Sequence, residues 1–294
     1  MNWRRLFLSA LLCVLVASGP LAALAADLGI ITGSEKGTYY QFGLNLQALG
    51  RTNGFSVTVH PSKGSVENIF AVYQRPGVPL GIVQSDVLAF VARVQTDQTL
   101  MRIAKKIKLV YPLYNEEIHL LARRGVVTTF DDLADKRVAI GREGSGTYLT
   151  TRRLFKLSEV TPREMLLIDT DEALAALKAG KIDAMFFVAG VPVRLLTEGV
   201  ARTDELALVP ITDKDIGEFY PRATIAGGVY GWQPGTMRSR AGAQLPQSCT
   251  GWSYRGRRIP PGSSPRVTSP ASATPGPVEA TSRGWVWAMI DPPC

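Results

Sequence analysis

The loop TGSEKGTYY (Thr32–Tyr40) places two glycines, a serine and a threonine between an apolar run and a helix-like one. Gly33 and Gly37 permit close backbone approach, and Thr38 is of the type that caps a helix. Three more loops repeat this chemistry. PSKGSVEN sets Ser65 behind Gly64, with Asn68 in the first turn; VQSDV supplies Ser85 or Asp86 as a cap; GREGSGTY supplies Ser145 and Thr147. Exposed N–H groups and the dipole of a helix N-terminus bind anions without a charged side chain. Any one of these loops is ordinary capping. Four at successive strand ends point to capture of an anion.

Motifs for covalent chemistry fail at the residues that matter. A phosphate loop of the G-x-x-x-x-G-K-[S/T] type has its glycines in Gly141 and Gly146, but Thr147 stands where lysine is needed. A dinucleotide loop breaks at Leu149, and Ser145 lacks the flanking glycines of a nucleophile elbow. Only two histidines occur. His119 lies two residues from Glu117, on the same face of an extended segment, and the pair offers either a metal or acid–base site or a solvated strand pair.

The elements that must position these loops alternate. Strands are expected at Leu28–Thr32, Phe55–His60, Leu80–Gln84 and Lys108–Leu113, with helices at Tyr39–Leu49, Val66–Gln74 and Asp86–Val94 between them. After an extended stretch at Pro112–Arg123 the pattern resumes. Strands are expected at Arg137–Gly141, Met165–Asp169, Ile182–Val188 and Leu206–Pro210, with helices at Tyr148–Leu157, Glu172–Ala179 and Val193–Gly199. Repeated alternation of this kind argues an α/β fold with parallel-rich sheets, here in two lobes. Ligands of such sheets bind outside the carboxyl ends of the strands, which two facing lobes would hold across a cleft.

The chain ends are separate matters. Residues 1–25 carry Arg4 and Arg5, an apolar run too short to span a membrane, and an A-x-A pattern at Ala23–Ala25, which together read as a secretory signal peptide. Residues 236–294 hold nine of the nineteen prolines and three of the five tryptophans, with no lysine and no phenylalanine. That composition reads as low-complexity. Its abrupt onset reads as a frameshift near Gly235, with a genuine Pro/Ser-rich tail as the alternative. The ends also account for the formal net charge of +8, because Asp27–Gly235 has 24 basic and 23 acidic residues. No nucleic-acid footprint remains. Cys13, Cys249 and Cys294 all lie in the ends, so the body has no disulfide framework, thiolate metal site or cysteine nucleophile.

In order, the loops resemble one family, the extracytoplasmic solute receptors of TAXI-type TRAP transporters. The resemblance runs from about Leu28 to Gln233 and rests on TGSEKGTYYQFG, GSVEN, GIVQSDV, LYNEEIHLLAR, DDLADKRVAIGREGSGT and ALKAGKIDAMFFVAGVP. It implies a type II-like periplasmic-binding-protein fold, with a first lobe at 26–115, a second at 116–225 and a return crossover at 226–235. It also implies capture of glutamate or a related carboxylate without covalent chemistry, and delivery to TRAP permease subunits. Carried over by position, Tyr40, Ser65, Asn68, Gln84, Ser85 and Asp86 line the first-lobe side. Ser145, Thr147, Phe187, Gly190 and Pro192 line the second. No catalytic residue, metal, cofactor or nucleic-acid partner is expected, and the receptor is expected to act as a monomer in the periplasm. Where the family continues with elements that finish the first lobe, this chain has its Arg/Pro/Ser tail. That lobe is then expected to lack its closing elements, with a sheet edge open and binding impaired. Three alternatives stay open: an enzyme using His119 and Glu117, a non-transporting sensor or adaptor that uses the tail, and a non-functional chain.

Overall fold

The computed structural model describes residues 27–93, 98–241 and 286–290. The expected signal peptide and all three cysteines lie outside them.

The first lobe is built from β1 (Asp27–Ile31), α1 (Thr38–Thr52), β2 (Ser56–His60), α2 (Ser65–Gln74), β3 (Leu80–Gln84), α3 (Ser85–Arg93), α4 (Gln98–Lys106) and β4 (Lys108–Pro112). Neighbouring side chains of a strand point to opposite faces, and parallel sheets are covered on both. Ile30 and Ile31 of β1 show this: Ile30 packs with Tyr39, Val57 and Ile82, whereas Ile31 packs with Ile69, Val72 and Val83. The helix α4 was not expected from the sequence. Gly29 is required where it stands, since a Cβ there would lie 2.2 Å from the Gly77 carbonyl oxygen.

The chain crosses once into the second lobe, made of β5 (Glu117–Arg123), β6 (Arg137–Ala139), α5 (Gly146–Ser158), β7 (Glu164–Leu166), α6 (Thr170–Lys178), β8 (Ala184–Ala189), α7 (Arg194–Gly199), β9 (Leu206–Leu208) and α8 (Lys214–Phe219). The strand β8 is buried along its whole length. Met185, Phe187 and Ala189 enter one core, and Ala184, Phe186 and Val188 enter the other. Its sheet order is β7-β6-β8-β5-β9, with β5 antiparallel to both neighbours and the β6 pairings parallel.

The remaining strands are β10 (Arg222–Ile225), β11 (Met237–Arg240) and β12 (Val286–Ile290). The first-lobe sheet has the order β2-β1-β3-β12-β4, with β12 antiparallel between β3 and β4. Both sheets therefore follow one plan. Three parallel strands in the order 2-1-3 are extended by a reversed strand, β12 in the first lobe and β5 in the second, and then by one more. This is the α/β, type II-like periplasmic-binding-protein arrangement, with helices flanking both sheets.

Two features differ from the sequence expectation. The break placed near Gly235 falls inside the antiparallel β10–β11 hairpin, and Ser239, Arg240 and Ala241 beyond it are buried. Ser239 Oγ donates to the Ile118 carbonyl at 2.5 Å, Ala241 forms a bridge with Glu117, and the Arg240 guanidinium donates to the carbonyls of Ile211, Tyr220 and Asp213. The return segment thus runs beside the outgoing one at the lobe boundary. The tail also supplies β12, so the first-lobe sheet is not left open between β3 and β4. No short apolar run inside Pro/Ser-rich sequence announces such pairing, which is decided by the unsatisfied edges that receive it.

Ending the chain at Gly284 removes β12 and strips β4 of its sheet partners. The shortened chain is expected to lose roughly 3 kcal/mol or more of unfolding free energy, at about 0.5–1.5 kcal/mol per hydrogen bond, and to aggregate through the freed edges. Urea unfolding and light scattering of both forms check this. Equal midpoints would mean that β12 contributes nothing.

Candidate functional site

A cavity of about 60 Å³ lies between the lobes. From the first lobe it is lined by the Gly33–Thr38 turn, Tyr39, Ser62–Ser65, Gln84 and, at the crossing, Glu116; from the second by Arg142, Ser145–Thr147, Asp169, Thr170 and Phe187–Ala189. Four helices, α1, α2, α5 and α6, begin at its wall. Three follow glycine-containing loops at the carboxyl ends of β1, β2 and β6, as the strand–loop–helix order requires.

How these N-termini are capped differs from the sequence expectation in two places. Ser145 does cap α5, its Oγ accepting from the Tyr148 N–H at 3.1 Å. The N-caps of α1 and α2 are Gly37 and Gly64, with no side-chain cap. Gly64 sits at φ 117°, a conformation open to glycine. Thr38 and Ser65 are therefore first helical residues, and their hydroxyls turn elsewhere. Thr38 Oγ1 donates to the Gly190 carbonyl of the other lobe at 3.0 Å. Ser65 Oγ accepts from the Gln84 N–H at 3.0 Å.

The lobes meet closely around the cavity. A Cβ on Gly146 would lie 1.3 Å from Gln84 Oε1, so any larger residue at the start of α5 would have to displace the Gln84 side chain. Glu67 N–H donates to the Gly144 carbonyl at 3.3 Å, and exposed Lys36 pairs with Asp171 at 2.9 Å.

Two ionisable groups define the electrostatics. Arg142 projects from the loop after β6 and pairs with Asp169 at 2.7 Å, with Nε buried and unpaired. Glu116 is buried and accepts from the Tyr39 hydroxyl at 3.0 Å. Burial pushes its carboxyl well above the usual range, and the neighbouring charges of Asp86 and Glu117 add to the effect. The cations Arg142 and Lys63, four helix N-termini, a ring of serine and threonine hydroxyls and the easily neutralised Glu116 carboxyl suit a small polar solute with at least one anionic group.

Of the residues expected from the sequence, the cavity brings together Ser65, Gln84, Ser145, Thr147 and Phe187. Tyr40 is half-buried and outside it; the adjacent Tyr39 lines it instead. Asn68 is committed to scaffolding. Its Oδ1 accepts from Ser62 Oγ at 2.6 Å, and its Nδ2 donates to the Thr32 and Ile82 carbonyls at 2.5 and 2.7 Å. Ser85 is buried outside the lining. Asp86 faces a different hollow, where Thr150 Oγ1 and the Tyr220 hydroxyl donate to its Oδ2 at 2.6 and 3.2 Å. Gly190 receives the Thr38 hydroxyl but does not line the cavity, and Pro192 is exposed. Sequence reading passed over Tyr39, Glu116, Arg142 and Asp169. Arg142 stood inside a loop already singled out, where its charge was the signal.

His119 and Glu117 are not a solvated pair. His119 is buried; its Nδ1 lies between the carbonyls of Glu117 and Phe187 at 3.0 and 3.2 Å, and its Nε2 is 2.8 Å from the Tyr230 hydroxyl. Two carbonyls at Nδ1 require the proton there, so Tyr230 donates to Nε2. Burial pushes the imidazole down to about 4 and the Glu117 carboxyl up to about 7. Among the described residues no three His, Cys, Asp or Glu side chains group as a metal site, and no helix is long and apolar enough to cross a membrane.

The profile of the NMT1-like family matches residues 30–237. Among solved structures, the regulatory domain of CcmR from Synechocystis PCC6803, in complex with 2-PG, is 19% identical, with 77% of this chain and 92% of that chain covered and a TM-score of 0.44. The GluR0 ligand-binding core from Nostoc punctiforme, in complex with L-glutamate, is 18% identical over 75% and 85% of the two chains, with a TM-score of 0.44. An ancestral arginine-binding protein bound to arginine is 14% identical over 76% and 87%, with a TM-score of 0.46.

Glu117 generates a pH prediction. A carboxyl whose folded pKa is raised adds stability below its ordinary value of 4.5, and that contribution is lost as pH rises through about 7. Glu117→Gln removes this dependence. Relative to the parent, the variant is expected to gain about 3 kcal/mol between pH 4.5 and about pH 8, read from urea unfolding at each pH. A difference that stays constant with pH would show Glu117 to be solvated.

Proposed function

The chain belongs to the NMT1-like family, and from that premise we propose that it is an extracytoplasmic receptor. It captures a small carboxylate or amino acid between its lobes and hands it to a TRAP-type permease. The observation that carries this reading is the convergence of four helix N-termini and Arg142 on one interlobe cavity. Partial positive charge and free N–H groups at such termini stabilise an anion, and a guanidinium adds charge-assisted hydrogen bonds.

In this reading the ligand carboxylate displaces Asp169 from Arg142 and takes N–H groups at the starts of α5 and α6. Ser65, Thr147 and Gln84 hold its other polar groups, while Tyr39 and Phe187 pack against its body. Glu116 either donates a hydrogen bond as the neutral acid or accepts an ammonium group. Capture needs no bond to be made or broken, and among the described residues no imidazole or thiol lines the cavity. The export signal expected at residues 1–25 agrees with a receptor working outside the cytoplasm.

Purified chain is melted with and without millimolar glutamate, glutamine, succinate and pyruvate. A ligand at roughly 100 times its dissociation constant adds about 2.7 kcal/mol, and at least one solute is expected to raise the midpoint. Arg142→Ala is expected to weaken that solute about 10–100-fold, as loss of a charge-assisted hydrogen bond does, with the fold unchanged by circular dichroism. If no carboxylate or amino acid shifts the melt, or if the variant binds as tightly as the parent, the reading is wrong.

A further inference from the structure

A second and larger hollow, of about 550 Å³, opens between α3 of the first lobe and α5 and α8 of the second. Its volume lies within the range of small-molecule sites. It shares no lining residue with the interlobe cavity. Its walls are of two kinds. Phe90, Leu149 and Leu157 give an apolar surface, and Phe90 is 46% exposed although large and aromatic. Arg152, Arg153 and Lys156, all on α5, give a cationic one.

None of these three cations has a carboxylate at ion-pair distance among the described residues. Arg152 is held over the Tyr148 ring and donates to its hydroxyl at 2.9 Å. Arg153 lies over the Phe219 ring at 5.1 Å, and its Nε is buried without a hydrogen-bond partner. A buried donor left unmade is costly, so an acceptor beside it is favoured. Asp86, at the floor, does not supply that acceptor. Its carboxylate takes the Thr150 and Tyr220 hydroxyls and the Val87 N–H.

We infer that this hollow is a second binding site, for an amphipathic organic anion: a single carboxylate or similar headgroup on an aliphatic or aromatic body. The headgroup sits among Arg152, Arg153 and Lys156, and the body lies on Phe90, Leu149 and Leu157. A purely apolar ligand would leave Arg152 and Lys156 without counter-charge and Arg153 with only the buried Asp86 nearby, and a small anion would leave the apolar wall wet. The inference does not depend on the solute-receptor reading, because it uses other residues.

The test is isothermal titration of the full chain with decanoate, decyltrimethylammonium and propanoate. Decanoate is expected to bind once per chain, the cationic homologue not to bind, and excess propanoate not to displace decanoate. The double variant Arg152→Glu with Lys156→Glu, both exposed in the parent, is expected to weaken decanoate at least tenfold. Phe90→Ser is expected to weaken it about fivefold, with circular dichroism unchanged in both variants. Absence of saturable decanoate binding, equal binding of the cationic homologue, displacement by propanoate, or full affinity in both variants would each overturn the inference.

Discussion

A carboxylate that finds its hydroxyl donors across the lobe boundary decides how the two halves of this chain sit. Asp86 belongs to the first lobe, and the Thr150 and Tyr220 hydroxyls that bond it belong to the second. A buried charge left without donors is among the most expensive features a fold can carry, so the position of α3 against α5 and α8 follows from it. The rest of the seam is of the same character. Thr38 reaches Gly190, the Glu67 amide reaches Gly144, and Gln84 presses on Gly146. Water can replace each of these bonds when the halves part. Apart from Leu149, which packs on a first-lobe core, the apolar cores lie within the lobes, so separation would exchange mainly polar partners, as opening around a solute requires.

The second lobe is stiffened by polar groups of the opposite kind, buried and locally closed. His119, neutral and fixed by two carbonyls, receives the Tyr230 hydroxyl, and the same hydroxyl accepts from the Val193 N–H. Trp232 stacks on Tyr230 and donates to the Leu196 carbonyl. With the three carbonyls taken by Arg240, these contacts stitch the return segment to the strands it passes. The wall that carries Phe187 is thereby fixed, whereas Arg142 and Lys36 at the rim keep exposed partners.

Much of the fold was legible because parallel strands write themselves as short apolar runs, and Leu80–Gln84 was placed to the residue. What was not legible has physical causes. The helix α4 is amphipathic but only nine residues long, shorter than the window over which a helical period stands out in sequence. Ser145 was readable as a cap, but Thr38 and Ser65 were not what they looked like, because a glycine before each took the capping position. Tyr39 lines the cavity where Tyr40 was expected, a difference of one residue that on a helix turns a side chain by roughly 100°. Asn68 and Asp86 were the right types for a site, yet the scaffold uses them. Residue type reports what a group can bond, and only three-dimensional placement reports what it does bond.

The strand β12 carries one more consequence. Its partners in β3 lie about 200 residues earlier in the chain, and among the described residues β4 has no other neighbour in the sheet. Pairings this distant are formed late, since the loop must be closed before any contact rewards it. The second lobe, whose strands all come from within one continuous stretch, can settle first. The lobe that starts the sequence is then the last to be completed, and for that interval the chain is half folded, with two strand edges in search of a partner.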